Sequence, residues 1–354
     1  ILQDIARIHP MNRLLSGDVG SGKTVVAAMA MYNTALNGYQ AVLMAPTEIL
    51  ATQHYHSLCK LFNGKMTLAL LTGSQFLISN FQFPINVKLS KSKTKTQIIE
   101  SINNGQAQIV IGTHALLSEG VEFKNLGLVI VDEQHRFGVG QRKIIKEKGV
   151  DAHFLSMTAT PIPRSLALMV YGDLDVSIIN EMPPGRKKII TRLVEPIKRD
   201  LAYKFIREQV RSGRQVFVIC PLIEEEVLSD KKTVMSEYEK LSKTIFPDLR
   251  VGFLHGKLKS KEKEEVMEKF SAQGGSALGG KSREIDILVS TSVVEVGVDI
   301  PNASVMMIEG SERFGLAQLH QFRGRVGRSA HQSYCLLFTQ TLSKTAEERL
   351  KFFE

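Results

Sequence analysis

At 354 residues the chain has room for two domains of ordinary size, each with its own core, and its 43% hydrophobic and 23% charged content is that of a soluble globular protein. No apolar run reaches the roughly 18 residues needed to cross a bilayer, and the opening ILQDIARIHP lacks the basic start and small-residue cleavage site of a secretory leader. A formal charge of +9 favours a polyanionic partner.

The chain opens without Met and in what reads as mid-helix, as expected of a piece of a longer protein. Residues 1–13 predict a short helix ended near His9-Pro10, then a strand over Asn12-Arg13-Leu14-Leu15. Gly17-Asp18-Val19-Gly20-Ser21-Gly22-Lys23-Thr24 follows and fits the phosphate-loop pattern G-x-x-x-x-G-K-[ST] at every fixed position. Glycines there let successive N–H groups turn toward one oxyanion. Lys23 is placed to reach β- and γ-phosphates, and the Thr24 hydroxyl to ligate Mg²⁺. A helix over Val25 to Leu36 adds its N-terminal dipole.

Short apolar runs bounded by turn residues then recur: Gln40 to Ala45, Met66 to Leu71, Gln108 to Ile111, Leu126 to Val131 and His153 to Met157. Each ends in polar residues: Pro46-Thr47-Glu48, with Thr47 as a helix cap, then Thr72-Gly73-Ser74, Gly112-Thr113-His114, Asp132-Glu133-Gln134-His135 and Thr158-Ala159-Thr160. Buried strands alternating with helices predict a doubly wound α/β sheet, which places ligands at the C-terminal ends of its strands. Asp132 is placed to hold Mg²⁺ together with Thr24, and Glu133 to orient and deprotonate the water that attacks a γ-phosphate. The lysine-rich stretch within Gln75 to Thr96 has no apolar period and reads as a solvated insertion, with a basic DNA-contacting loop as its alternative.

Pro183-Pro184-Gly185-Arg186 marks a connection, giving expected domains over residues 1–183 and 190–354. Strands are predicted at Gln215 to Cys220, Val251 to Leu254, Ile285 to Ser290, Ser304 to Ile308 and Ser333 to Phe338, with helices at Asp200 to Arg211 and Lys261 to Phe270. Glu224 to Lys243 and the Gly/Ser-rich Ser271 to Ser282 are expected to be loops. This half has no phosphate loop of its own, so a nucleotide sandwiched between two α/β domains is expected. Gln321-Phe322-Arg323-Gly324-Arg325-Val326-Gly327-Arg328 supplies always-charged guanidinium forks suited to a phosphoryl transition state. Cys59, Cys220 and Cys335 stand far apart without zinc-site spacing and read as thiols in a reducing compartment.

GDVGSGKT, APTEIL, GTHALL, DEQH, TATPIPR, STSVVEVGVDIPNA and QLHQFRGRVGRS occur in the order of motifs I, Ia, Ic, II, III, V and VI of superfamily 2 helicases. PMNRLLSGDVGSGKT, VDEQHRFGVGQR, PPGR and FGLAQLHQFRGRVGR resemble more narrowly the RecG branched-DNA helicases, with the transcription-repair coupling translocases as nearest competitor. The resemblance implies two tandem RecA-like domains, each a mostly parallel sheet flanked by helices. It implies ATP and Mg²⁺ as cofactors, branched or forked DNA as partner, no membrane, and a monomer acting in the bacterial cytoplasm, or in an organelle if the source is eukaryotic. It makes Gly17, Asp18, Gly20, Ser21, Gly22, Lys23 and Thr24 the nucleotide cradle, and gives Gln321, Arg325 and Arg328 the γ-phosphate-sensing role. Gly297 and Asp299 match motif V, which joins the ATP site to the DNA groove. Thr47, Thr72-Gly73, Thr113 and Thr291 match motifs that grip the phosphodiester backbone, and Thr158-Ala159-Thr160 the motif that couples the two sites. A binding scaffold with a dead ATPase, or a metabolic phosphate-loop enzyme, is the alternative from another class.

Overall fold

Residues alternate in the central strands between two apolar faces, which only a sheet covered on both sides can bury. Leu43, Ile109, Ile111, Leu128 and Ile130 enter one core cluster, while Val42, Met44, Val110, Val129 and Val131 enter another. The structure, a computed structural model, describes residues 1–18, 20–79, 94–149, 151–158, 174–181, 187–221, 229–256, 258, 260–271, 284–291, 300, 302–327, 331–340 and 344–354. The chain divides into two units, Ile1–Met182 and Pro183–Glu354. The predicted connection Pro183-Pro184-Gly185-Arg186 lies outside the described residues.

The described strands of the first unit are β1 (Asn12–Gly17), β2 (Gln40–Met44), β3 (Leu68–Leu71), β4 (Phe76–Ile78), β5 (Ile109–Gly112), β6 (Leu126–Asp132), β7 (His153–Thr158) and β8 (Asp175–Ile179). They form one sheet in the order β4-β3-β5-β2-β6-β7-β1-β8, parallel throughout except for the β3–β4 hairpin. Helices Lys23–Leu36 and Glu48–Phe62 supply one face of the core, through Ala27, Ala28, Met31, Ala51, Tyr55 and Leu58. Helices Lys95–Asn103 and Val139–Lys148 supply the other, through Ile98, Ile102 and Ile145.

The second unit has β9 (Ile190–Val194), β10 (Gln215–Ile219), β11 (Val251–Leu254), β12 (Ile287–Ser290), β13 (Ala303–Ile308) and β14 (Tyr334–Phe338), all parallel, in the order β11-β12-β10-β13-β14-β9. The same two-sided alternation holds: Phe217 and Ile219 face one cluster, Val216 and Val218 the other. Both units are therefore mostly parallel α/β sheets flanked by helices.

Three local expectations change. Glu224 to Lys243 is not all loop: Ser229–Glu239 is a helix and Lys240–Ile245 a π-helical turn. Beneath its charges Val234, Leu241 and then Phe246 are completely buried, and Tyr238 lies against Phe253 with ring centroids 5.0 Å apart. Three core anchors, spaced seven and five residues apart, were hidden by the charged residues around them. The insertion is also shorter than Gln75 to Thr96, because Phe76–Ile78 pairs with β3 and Thr94 opens the next helix through a capping box with Gln97. The helix after the phosphate loop begins at Lys23 rather than Val25, so Lys23 and Thr24 lie in its first turn. Residues 80–93 and 272–283 lie outside the described residues.

Leu241→Ala should lower the stability of the second unit by about 2–5 kcal/mol, as removal of a fully buried leucine side chain does. Urea unfolding measures this; a loss below about 0.5 kcal/mol, the size of a surface substitution, would restore the loop reading.

Candidate nucleotide site and strand-end grips

β1 carries the chain through the core, with Leu14 and Leu15 buried, to Gly17 at the sheet edge. A Cβ on Gly17 would stand 2.5 Å from Ser21 Oγ and 3.2 Å from Ile179 Cβ, so the strand end has no room for a side chain. Gly20 (φ +78°) and Gly22 (φ +100°) then turn the backbone through the left-handed region, at a cost that glycine alone escapes. Ser21 N–H donates to Asp18 O at 3.1 Å, closing the turn, and the helix begins at Lys23. Val19 lies outside the described residues.

Lys23 folds back over this loop, its Nζ donating to the carbonyls of Gly17 (2.7 Å) and Asp18 (2.9 Å). Ser21 Oγ is buried in the loop without a hydrogen-bond partner. Such an orphan costs roughly 1–3 kcal/mol, and an oxygen-rich ligand would relieve it. A glycine turn, a lysine, an orphaned hydroxyl and a helix N-terminus converge at one point. Together they fit a polyphosphate.

β7 lies between β1 and β6, with Ser16 in register with Thr158 and Met157 with Asp132. Asp132 therefore leaves the sheet on the same edge as the phosphate loop, two strands or about 10 Å away. Its carboxylate is buried, Oδ2 accepting from His54 Nε2 (2.9 Å) and Oδ1 from Glu133 N–H (3.0 Å). Burial pushes its pKa up. The His54 hydrogen bond and charge, the Lys23 charge and the Glu133 N–H outweigh that and hold the carboxyl below its ordinary value, so Asp132 is ionised at neutral pH.

Glu133 has left-handed backbone (φ +48°, ψ +56°), uncommon for a residue with a side chain. The turn is imposed from both sides: Glu133 N–H bonds Asp132 Oδ1, and Glu133 O accepts from Arg136 N–H at 2.8 Å. Strain of about 1–3 kcal/mol sits here, and it re-aims the chain directly after Asp132.

The other strand ends carry the residues expected to grip a phosphodiester backbone. Thr47 Oγ1 accepts from Leu50 N–H at 3.4 Å and caps the helix Glu48–Phe62. Thr72 Oγ1 accepts from Ser74 N–H (3.3 Å) and Gln75 N–H (2.9 Å). The Glu48 carboxylate accepts from Ser74 N–H (3.0 Å) and Ser74 Oγ (2.6 Å), strapping this loop to the start of that helix. Thr47 and Thr72 thus use their hydroxyls to shape their own turns. Thr113 differs, its Oγ1 being buried without a hydrogen-bond partner.

In the second unit Gln321 (8% exposed) lies on the helix Leu316–Arg323, and Arg325 (6%) in the turn after it. Burial of a guanidinium to that degree demands partners. Arg323, between them, is committed to structure: it donates to Phe353 O at 3.2 Å and lies 4.3 Å from the centroid of the Phe353 ring. Gly327 has φ +78°, and a Cβ there would stand 2.9 Å from Ile189 Cγ1. Thr291 is buried just beyond β12. Arg328, Gly297, Asp299, Ala159 and Thr160 lie outside the described residues. Among the described residues no cluster of three or more His, Cys, Asp or Glu could hold a metal, and no helix is long and apolar enough to cross a membrane.

Sequence reasoning passed over His54, Glu48 and the left-handed turn at Glu133. His54 left one trace, as a polar residue on the apolar stripe Ala51, Tyr55, Leu58 and Phe62. Glu48 left none, since its role depends on a pairing with Ser74 in another loop, and the left-handed backbone at Glu133, unlike its carboxylate, left none either.

Gly327→Ala should destabilise the second unit by about 1–3 kcal/mol, through left-handed strain and the clash with Ile189. Equilibrium denaturation of the two proteins checks this; equal stability would mean that Ile189 moves aside freely.

Similarity to known proteins agrees with this geometry. The DEAD/DEAH box helicase family matches residues 3–169, and the helicase conserved C-terminal domain matches residues 197–330. The ATP-dependent DNA helicase RecG of Synechocystis sp. is 49% identical over 355 residues, 100% of this chain and 40% of that protein. Its namesake in Bacillus subtilis is 48% identical, over 99% of this chain and 48% of that protein. The chain thus spans less than half the length of these curated relatives. A solved structure of RecG bound to a three-way DNA junction superposes with a TM-score of 0.75 at 46% identity, over 99% of this chain and 43% of that one. Yeast Dbp5 bound to RNA and ADP BeF3, 17% identical with a TM-score of 0.65, shares the fold. With near-half identity along its whole length and the two helicase families matched in tandem, the chain belongs to the RecG family of superfamily 2 helicases.

Proposed function

We propose that this chain is the ATP-driven motor of a RecG-type DNA helicase. It hydrolyses ATP to translocate on branched DNA, such as stalled forks and recombination junctions, in repair and recombination. One observation carries the reading: the phosphate loop and Asp132-Glu133 converge on one sheet edge, and the strand-end loops expected to grip a nucleic-acid backbone leave from that same edge. That a similar RecG was solved on a three-way DNA junction supports branched DNA as substrate.

In this reading the loop amides and Lys23 hold the β- and γ-phosphates, with Lys23 exchanging its two carbonyl partners for phosphate oxygens. Thr24 and Asp132 would hold Mg²⁺, which when bound neutralises charge on those oxygens. Glu133 takes the proton from the attacking water. Gln321, Arg325 and Arg328 answer charge that grows on the γ-phosphoryl group, and Gly297 and Asp299 join hydrolysis to the DNA groove. Thr47, the Thr72–Gly73 loop, Thr113 and Thr291 hold phosphates, which are alike at every sequence. The chain acts as a monomer in the cytoplasm, on nucleoid DNA.

Steady-state ATPase activity with no DNA, single strand, duplex and fork tests the proposal. DNA should stimulate turnover weakly, with forks favoured over plain DNA by little because the grips meet phosphates common to both, and the stimulation should fall steeply with salt because DNA binding releases counterions. A rate indifferent to DNA would point to a metabolic phosphate-loop enzyme, and no turnover at all to a binding scaffold.

Glu133→Gln should leave ATP binding intact while turnover falls by about 10²–10⁴-fold, the usual worth of a positioned base; near-normal turnover would remove Glu133 from the chemistry. Lys23→Ala should instead weaken nucleotide binding itself, and Arg328→Lys, which keeps the charge but loses the planar fork, should slow hydrolysis with binding retained.

A further inference from the structure

Asp132 does not hold its own conformation. Its carboxylate is buried at the end of β6 and held from two directions, by the backbone of Glu133 on Oδ1 and by His54 on Oδ2. A carboxylate only accepts hydrogen bonds, so His54 Nε2 is the donor. His54 comes from a different element, the helix Glu48–Phe62, seven residues beyond its Thr47 cap. Neighbours on its buried stripe, Ala51, Tyr55 and Leu58, lie in the apolar core and fix the rotation of the helix. The first turn of that helix is tied through Glu48 to Ser74 in the loop after β3. His54 is therefore a rigidly mounted donor, and with the Glu133 N–H it sets the plane of the Asp132 carboxylate. Each carboxylate oxygen keeps a second lone-pair direction for an ion or an ordered water.

We infer that His54 is a positioning residue of the nucleotide site: it orients Asp132 toward Mg²⁺, and so sets how tightly the site takes up the ion with its nucleotide. Partners that orient a metal-binding carboxylate are worth about 10–100-fold in metal affinity. The inference rests on the nucleotide reading of the site given above.

The test is binding of a fluorescent, non-hydrolysable ATP analogue, titrated with Mg²⁺, so that catalysis plays no part. His54→Phe keeps an aromatic ring on the stripe but removes the donor. His54→Gln restores a donor on a flexible stem. The half-saturating Mg²⁺ concentration should rise about 10-fold or more in His54→Phe, while analogue binding without Mg²⁺ stays at the wild-type level. His54→Gln should recover much of the difference, and a merely structural residue would show no such recovery. Adding Asp132→Asn to His54→Phe should raise the requirement no further than Asp132→Asn alone, because both changes act through one carboxylate.

A Mg²⁺ requirement in His54→Phe equal to wild type would overturn the inference, as would equal impairment in the Gln and Phe variants. If His54→Phe does not fold, His54→Asn, whose amide is on a shorter stem, takes its place: a raised requirement supports the role and an unchanged one overturns it. Analogue binding by the wild-type chain that is indifferent to Mg²⁺ would overturn the nucleotide reading and this inference together. Mg²⁺-dependent binding that ignores His54 would overturn this inference alone.

Discussion

Parallel strand pairing is the constraint on which the rest of the first unit depends. Seven of its eight described strands run the same way, with only β4 reversed, so their C-terminal ends share one edge. Every loop that leaves a strand for a helix on that edge is released from ladder pairing at the same place. The phosphate loop, Asp132-Glu133, Thr47, Thr72 and Thr113 share that edge for this reason, although they are scattered along the sequence. The strand order divides the edge: β1, β7 and β6 carry the side proposed to take the nucleotide, and β2, β5 and β3 carry the side expected to grip a nucleic-acid backbone.

Local order at that edge comes at the expense of stability. Glu133 is held in the left-handed region, and Ser21 and Thr113 bury hydroxyls without hydrogen-bond partners. Each of these is unfavourable by about one to a few kcal/mol. The two apolar faces behind the edge offset them, because side chains such as Leu43, Ile111, Val110 and Val129 are fully buried or nearly so. The residues proposed to act lie where the backbone is strained and polar groups are buried, and the core beneath makes that tolerable.

His54 and Glu48 show how such an edge is wired. Both lie on one helix, and they reach opposite ways: Glu48 to the loop after β3, His54 to the carboxylate after β6. The polar groups that shape the two halves of the edge are thereby mounted on a common rigid element.

Most of the fold was legible because a strand buried on both faces leaves a short continuous apolar run, and β2, β5, β6, β10 and β13 all do so. β8, as DVSII at the sheet edge with a largely exposed face, leaves no such run, and the charged helix Ser229–Glu239 hides its few anchors. Motif chemistry was equally local: a glycine at left-handed φ is a property of adjacent residues, so the phosphate-loop turn could be read from its neighbours alone, although the helix expected from Val25 begins at Lys23. What the sequence could not express was pairing at a distance. The bond between His54 and Asp132 spans 78 positions, and the support that Glu48 gives to Ser74 spans 26. A one-dimensional pattern records which residues are apolar and which turn the chain. Which carboxylate meets which donor depends on strand order and on the rotation of each helix over the sheet, and only the tertiary structure decides those.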